Sequence, residues 1–447
     1  MKTLKLLFAF AFALSLTLST TACGGDDDGN NKKPGTEAGG DSGSGGDSGS
    51  GGGQGSGGSG GGGGQGGGDF STESAKKEYI DQTARELVDK VNANDFKPIV
   101  DLGQYVSENL TRGTNRSSKT KVIEDFFEDA FNACTVPGSD TKRLFVMSNF
   151  QAEFTYQSGT WVKTGSPTNT LRFKFNDKNG QPCVAEVVGS GNEVEVHASV
   201  FDKKSREFYW NSSYDYGYIE KVTENSIKVP QEINVKLTQG NSALANIQVN
   251  ISVSGGEFKY NSSNASVTMD ATIVGYRINL TKAYYNGGNN AGVDVTVSKN
   301  GESLVKASAS ANVRITDEGE FQSAGTGKVN IDILGKVQVS GTVDDFNKIR
   351  DLRERYNKYS SEQEVKDIAN QLNLQFSIGV YFNNSSTRQA YIQAYPFKDY
   401  YWNIEPVICF GDGTSYSTFE EFGNDSRFKE LIKKVQALVT DFQNLVK

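Results

Sequence analysis

Residues 328–343 read KVNIDILGKVQVSGTV. Val329, Ile331, Ile333, Val337, Val339 and Val343 fall on one side of an extended chain, and Lys328, Asn330, Asp332, Lys336, Gln338 and Ser340 on the other. Successive side chains of a strand point to opposite faces, so the stretch predicts strand with one apolar and one wet face. Taken as one element, Val329 to Val343 would run about 50 Å at ~3.3 Å per residue, longer than the usual strand of about 3–10 residues. A sheet wet on one side is antiparallel, and its apolar side needs a cover.

The same period extends outward over residues 142–343. Leu171, Phe173 and Phe175 precede Asn179-Gly180; Ile233, Val235 and Leu237 precede Gln239-Gly240-Asn241; Val293, Val295 and Val297 precede Asn300-Gly301. Asn-Gly pairs favour the tight turns of hairpins, so these units predict an antiparallel meander. The strand carrying Val305, Ala307, Ala309, Ala311, Val313 and Ile315 has small residues on its apolar side. Ala307, Ala309 and Ala311 would admit either a closely packed helix or an apolar ligand in a groove.

The flanks read as helix. Tyr79, Ile80, Ala84, Leu87, Val88 and Val91 recur at helical spacing, as do Ile99, Leu102, Val106 and Leu110, and again Val122, Ile123, Phe126, Phe127, Ala130 and Phe131 within 120–134. After Val343, Asp344 or Asp345 can cap a helix bearing Phe346, Ile349, Leu352 and Tyr356. Another helix is expected over 364–374, and short strands over 376–382, 389–395 and 404–410. A closing stripe from Phe428 to Val446 predicts a helix docked on the sheet, with a partner seam as the alternative. The fold class is therefore α+β: a large, long-stranded antiparallel meander sheet with N-terminal and C-terminal helices covering its apolar face. The expected divisions are 1–22, 23–68, 69–140 (helical), 141–343 (sheet) and 344–447 (helices and short strands).

Composition narrows the function classes. The chain has 447 residues, 46 Lys+Arg against 54 Asp+Glu and a formal charge of −8. That balance gives nucleic acid no basic face, so no nucleic-acid partner is expected. Four cysteines are too few for a disulfide scaffold, and one histidine leaves no multi-His metal site. No metal and no cofactor are expected.

The first residues carry an address. Lys2 and Lys5 precede an apolar run from Leu6 to Leu18, thirteen residues, too short for a membrane span of about 20. Ser19, Thr20, Thr21 and Ala22 then lead to Cys23. Small residues before a cysteine resemble a bacterial lipobox, although Thr20 stands where Leu is usual. The resemblance implies cleavage before Cys23 and acylation of its thiol. More than one acyl chain would give a stable anchor. Asp26, Asp27 and Asp28 follow and resemble the surface-export signal of Bacteroidota lipoproteins. The resemblance covers about the first 30 residues. It implies an outer-membrane protein held in lipid through Cys23 and facing the cell exterior. Residues 24–68 contain 24 glycines among 45 positions. Nothing there can be buried, so a disordered tether with a mean reach of roughly 35–40 Å is expected.

Catalytic signals are thin. His197 alternates with apolar neighbours and should face water beside Glu193 and Glu195. No Gly-x-Ser-x-Gly elbow falls on a strand–helix turn, and no phosphate loop occurs. Asp177-x-Asn179-Gly180 reads as a turn rather than a calcium loop. Cys134, Cys183 and Cys409 are widely spaced, consistent with buried thiols or one disulfide. Aromatic residues form the one enrichment. Phe208, Tyr209, Trp210, Tyr214, Tyr216 and Tyr218 cluster, as do Tyr400, Tyr401 and Trp402, and Tyr284 with Tyr285. Such rings either brace a sheet by cross-strand pairing or stack on a sugar or protein partner. Tyr209, Trp210, Tyr214, Tyr216, Tyr218, Tyr400, Tyr401 and Trp402 are the candidate recognition residues. The expected function is a non-enzymatic binding or scaffolding lipoprotein for a glycan, a surface or a protein partner. One alternative is a lipid carrier, since a one-sided sheet with helices on its apolar face resembles the half-barrel of lipoprotein carriers and lipid-binding lipoproteins. The other is a carboxylate-based hydrolase, for which no acid pair stands out.

Overall fold

Among the described residues the alternating runs become nineteen strands. The computed structural model describes residues 70–110, 142–146, 151–197, 203–212, 215–259, 262–315, 321–356, 360–398, 400–411 and 415–445. The signal sequence, Cys23, the acidic triplet, the tether, the helix expected over 120–134, Cys134 and Tyr214 lie outside these residues. The strands are β1 (Lys142–Val146), β2 (Ala152–Gln157), β3 (Thr160–Gly165), β4 (Thr170–Asn176), β5 (Pro182–His197), β6 (Lys203–Ser212), β7 (Asp215–Gln239), β8 (Ser242–Val253), β9 (Glu257–Phe258), β10 (Asn264–Ile273), β11 (Tyr276–Asn286), β12 (Asn290–Lys299), β13 (Glu302–Ile315), β14 (Phe321–Ile333), β15 (Val337–Val343), β16 (Phe376–Phe382), β17 (Arg388–Lys398), β18 (Trp402–Phe410) and β19 (Ser415–Thr418). The α-helices are α1 (Glu73–Lys90), α2 (Lys97–Tyr105), α3 (Phe346–Arg355), α4 (Glu362–Asn373), α5 (Phe419–Asn424) and α6 (Lys429–Leu445). The architecture is α+β, dominated by a long antiparallel meander.

The main ladder runs β3–β2–β4–β5–β7–β8–β10 and then in chain order from β11 to β19. β1, β6 and β9 branch from it onto β7, β7 and β5. Within the main ladder only β2 and β4 pair in parallel. Open sheets beyond about ten strands curl, and the N-terminal helical run contacts strands far apart in this ladder.

One sequence expectation fails. Residues 328–343 form two strands, not one. Leu334 and Gly335 both hold positive φ, 57° and 68°, and the chain reverses so that Ile333 pairs with Val337. The Gly335 N–H donates to the Asp332 carboxylate at 2.7 Å, and the Lys336 N–H to the Ile333 carbonyl at 2.9 Å. A leucine carries no turn signal, because its Cβ makes the left-handed conformation cost about 1–2 kcal/mol. The face assignment survives, since the reversal keeps Ile331 opposite Val339.

The helices hold the turn end of the sheet. Thr72 caps α1, its hydroxyl accepting from the Ala75 N–H at 3.1 Å. Tyr79 and Ile80 of α1 pack on Val337, Val380, Phe382, Ala390, Ile408 and Phe410. Glu86 pairs with Lys336 at the β14–β15 turn, and Lys90 with Glu302 at the β12–β13 turn (2.8 Å). In the 3-10 turn Ala93–Phe96, the Asp95 carboxylate accepts from Lys299 at 2.7 Å and from the Tyr276 hydroxyl at 2.9 Å. Phe96 stacks on the Tyr276 ring. Past α2, the Trp161 indole N–H of β3 donates to the Leu110 carbonyl at 3.1 Å. One helical run thus meets strands from β19, at one end of the ladder, to β3 at the other.

α3 and α4 sit between β15 and β16 in sequence. Asp345 caps α3 and Ser361 caps α4 with Glu364 completing a capping box. Phe346 lies on Gly327 of β14, so close that a Cβ there would fall 2.5 Å from the ring. The closing helix departs from expectation. α6 packs on α1 and on the 3-10 turn, through Lys434–Asp89 (2.6 Å) and Phe442–Phe96 (ring centroids 5.5 Å). α1 already occupies the sheet at that end, so α6 forms a second layer. Ile432, Val435 and Val439 of α6 remain 39%, 42% and 49% exposed.

Candidate functional site

β7 is 25 residues long and changes partners along its length. Its C-terminal half lies between β5 and β8, from Glu232 to Gln239. Its N-terminal end pairs with β6, from Thr223 opposite Lys203 to Asp215 opposite Ser212. Among the described residues, no other strand pairs with residues 215–223. β6 and this end of β7 therefore form a two-stranded ribbon.

The register sorts its aromatic residues. Phe208 stands opposite Tyr218 and Trp210 opposite Tyr216, so all four share one face. They are 51%, 68%, 66% and 59% exposed. Trp210 and Tyr216 stack, with centroids 5.7 Å apart and planes 23° from parallel. Phe208 meets Tyr218 edge-on at 5.4 Å. The same face carries the Arg206–Glu220 ion pair, 3.5 Å, at the next position along the ribbon. Tyr209 pairs in register with Gly217 and belongs to the opposite face. Its ring covers Gly217 so closely that an added Cβ would lie 3.1 Å from Cε1. Phe208 thus joins the candidate group and Tyr209 leaves it.

The rings have two uses. A two-stranded ribbon alone is marginal in water, and cross-strand aromatic pairs each contribute roughly 0.2–1 kcal/mol. Stacking uses one face each of Trp210 and Tyr216, and all four rings still expose more than half their surface. A row of large rings more than half exposed is uncommon on a protein that uses its aromatics only for packing.

The second sequence cluster lies in the β17–β18 connection. Tyr400 is 82% exposed and meets Tyr401 edge-on at 4.8 Å. Trp402 is half-buried, with the ammonium groups of Lys398 and Lys366 5.4 and 6.0 Å from its ring. Its carbonyl accepts from the Tyr356 hydroxyl at 3.1 Å. Trp402 therefore anchors the segment beside α4, and Tyr400 carries the exposed ring.

The alanine strand is β13. Ala307 lies between Val295 and Ile331, and Ala309 between Val293 and Val329. Ala307, Ala309 and Ala311 are half-buried, and Phe346 covers Gly327, the partner of Ala311.

Other singled-out residues are structural. The Asp177 carboxylate accepts from the Asn179 and Gln181 N–H groups, both at 2.8 Å, and from the Gln239 amide, which makes it a hairpin brace. Cys183 and Cys409 are buried free thiols, and burial pushes both above the ordinary thiol value. His197 ends β5 opposite Ser226; its side chain lies outside the described residues. Among the described residues no group of three or more His, Cys, Asp or Glu is placed to hold a metal. No protein-family model, curated protein or solved structure matches the chain.

Proposed function

We propose that this protein is an outer-membrane lipoprotein, anchored through acylated Cys23, that binds a glycan on the aromatic face of its β6–β7 ribbon. The observation that carries the reading is the alignment of Phe208, Trp210, Tyr216 and Tyr218 on one wet face of an otherwise unpaired ribbon. Sugar rings present C–H faces that stack on aromatic rings, while their hydroxyls stay hydrated or meet nearby charges. Arg206 and Glu220 supply such charges at the edge of the platform. The Gly-rich segment 24–68 would carry the ribbon away from the headgroups toward a glycan coat. The role is binding rather than catalysis, because what the ribbon presents is a row of rings beside an ion pair.

A panel of immobilised polysaccharides tests this with the full chain. The unaltered protein should retain at least one neutral polysaccharide. Trp210→Ser combined with Tyr216→Ser should weaken that binding at least about ten-fold, or 1.4 kcal/mol, without lowering the melting temperature of the main sheet. Equal binding by the double variant, or none by the parent, would refute the assignment.

A further inference from the structure

We propose that a second copy of this chain docks on α6, independently of the ribbon, through Ile432, Val435 and Val439. One side of α6 is already engaged. Lys434 pairs with Asp89, Phe442 meets Phe96, and the Leu445 carbonyl accepts from the Gln104 amide at 3.3 Å. At ~100° per residue, Leu431, Lys434, Leu438, Phe442 and Leu445 fall within roughly 80° of one another, and all five are half-buried. Ile432, Val435 and Val439 are centred roughly 90° further round the helix, and all three are exposed. The two groups together fill roughly 160° of arc. A helix with one neighbour carries an apolar stripe of roughly 100°, so α6 has apolar surface for a second.

The spacing selects a helix as that neighbour. Ile432, Val435, Val439 and Phe442 recur as the a and d positions of a heptad, and Val446 continues the spacing in the sequence. Phe442 stands at the border of the two faces. A seam of this kind fits the knobs and holes of a second helix with the same repeat. A small apolar ligand needs a concave site, and one helix surface is convex. The flanks then select a like helix. Gln436 and Gln443 line one border of the seam, and Leu431 and Leu438 the other. These are the positions where charges choose between partners, and here they are neutral. Lys433 is paired with Glu430 at 2.7 Å, and Lys434 with Asp89. Two copies about a two-fold axis therefore join apolar and amide groups along the seam without setting like charges against each other. α6 is held as a helix by α1, so the seam does not have to fold it. The helix is about 25 Å long, which places the pair among weak interfaces of under about 1,200 Å².

The test uses the full chain with Cys23→Ser, so that no anchor holds it to membranes. In sedimentation equilibrium the chain should be largely dimeric at on the order of 100 µM and monomeric near ~1 µM, as a weak interface requires. Val435→Glu and Val435→Lys should each weaken the dimer at least ten-fold without lowering the melting temperature, because the side chain is exposed. An equimolar mixture of the two variants should associate again, which a role for Val435 inside one chain does not produce. Under mild oxidation Val435→Cys should give a covalent dimer, whereas Lys433→Cys, which lies on another side of α6, should not; if the charged variants fail to fold, this pair decides. Four results overturn the proposal. They are a monomer at every concentration, a dimer that Val435→Glu leaves intact, equal cross-linking through positions 433 and 435, or cross-links from a photoreactive residue at 435 that all fall within the same chain.

Discussion

Trp210 stacks on Tyr216 across the β6–β7 ribbon at 5.7 Å, yet both rings stay more than half exposed. The pair stiffens the ribbon and still offers ring surface to a partner. Its contribution to folding is small. Trp210→Ala should cost under about 1 kcal/mol, because no main-ladder contact is lost. Trp161 and Trp402 are half-buried, so Trp210 should supply most of the iodide-quenchable fluorescence. Trp210→Phe should remove that component; quenching that persists unchanged would place Trp210 away from solvent.

Gly327 is set by Phe346. An added Cβ would stand 2.5 Å from Cε2 and 3.0 Å from Cζ of that ring. Gly327→Ala should therefore destabilise by about 1–3 kcal/mol in denaturant melts. Phe346→Ala in the same chain should recover part of the loss. A Gly327→Ala chain as stable as the parent would mean that α3 does not seat on β14.

Leu334 pays a backbone cost at φ 57°. Leu334→Gly removes the Cβ clash and should leave stability unchanged or raise it by up to about 1 kcal/mol. Leu334→Val adds branching at a left-handed position and should lower it by more than about 1 kcal/mol. The reverse ranking in chemical melts would contradict the hairpin.

Asp425 ties the C-terminal helix to α1. It accepts from the Arg427 N–H and guanidinium, both at 3.0 Å, with Lys77 3.8 Å away, and Arg427 also donates to Ser74. The Arg427 backbone and side-chain bonds, aided by the charges of Arg427 and Lys77, hold its carboxyl below the usual range. A depressed acid stabilises the fold fully above its unfolded value, about 3.9, and loses that contribution as pH falls through the folded value. Hydrogen-exchange protection of α6, corrected for intrinsic rates, should therefore drop between pH 5 and acid conditions. Asp425→Asn should show the weaker protection at both. A parent whose α6 protection does not change with pH would contradict the linkage.

The α+β class and most strand positions were legible from alternation, because one wet and one dry face repeat every two residues. The Leu334–Gly335 reversal was not, because the turn is made by a residue that disfavours it and the face pattern continues through it. The seat of α6 was hidden for a different reason. An amphipathic stripe shows that a helix packs on something, and α1 rather than a strand was there first. In the ribbon, composition gave the aromatic cluster, but only the register of β6 against β7 separates Tyr209 from Phe208, Trp210, Tyr216 and Tyr218.

The ribbon reading is tested most directly by making Trp210 the sole reporter. In a Trp161→Phe, Trp402→Phe chain, a polysaccharide retained by the parent is titrated while tryptophan emission is followed. Stacking on Trp210 should shift its emission to shorter wavelength and protect it from iodide, with a midpoint equal to the binding constant measured on the parent. Saturable binding that leaves Trp210 emission and quenching unchanged would contradict the account.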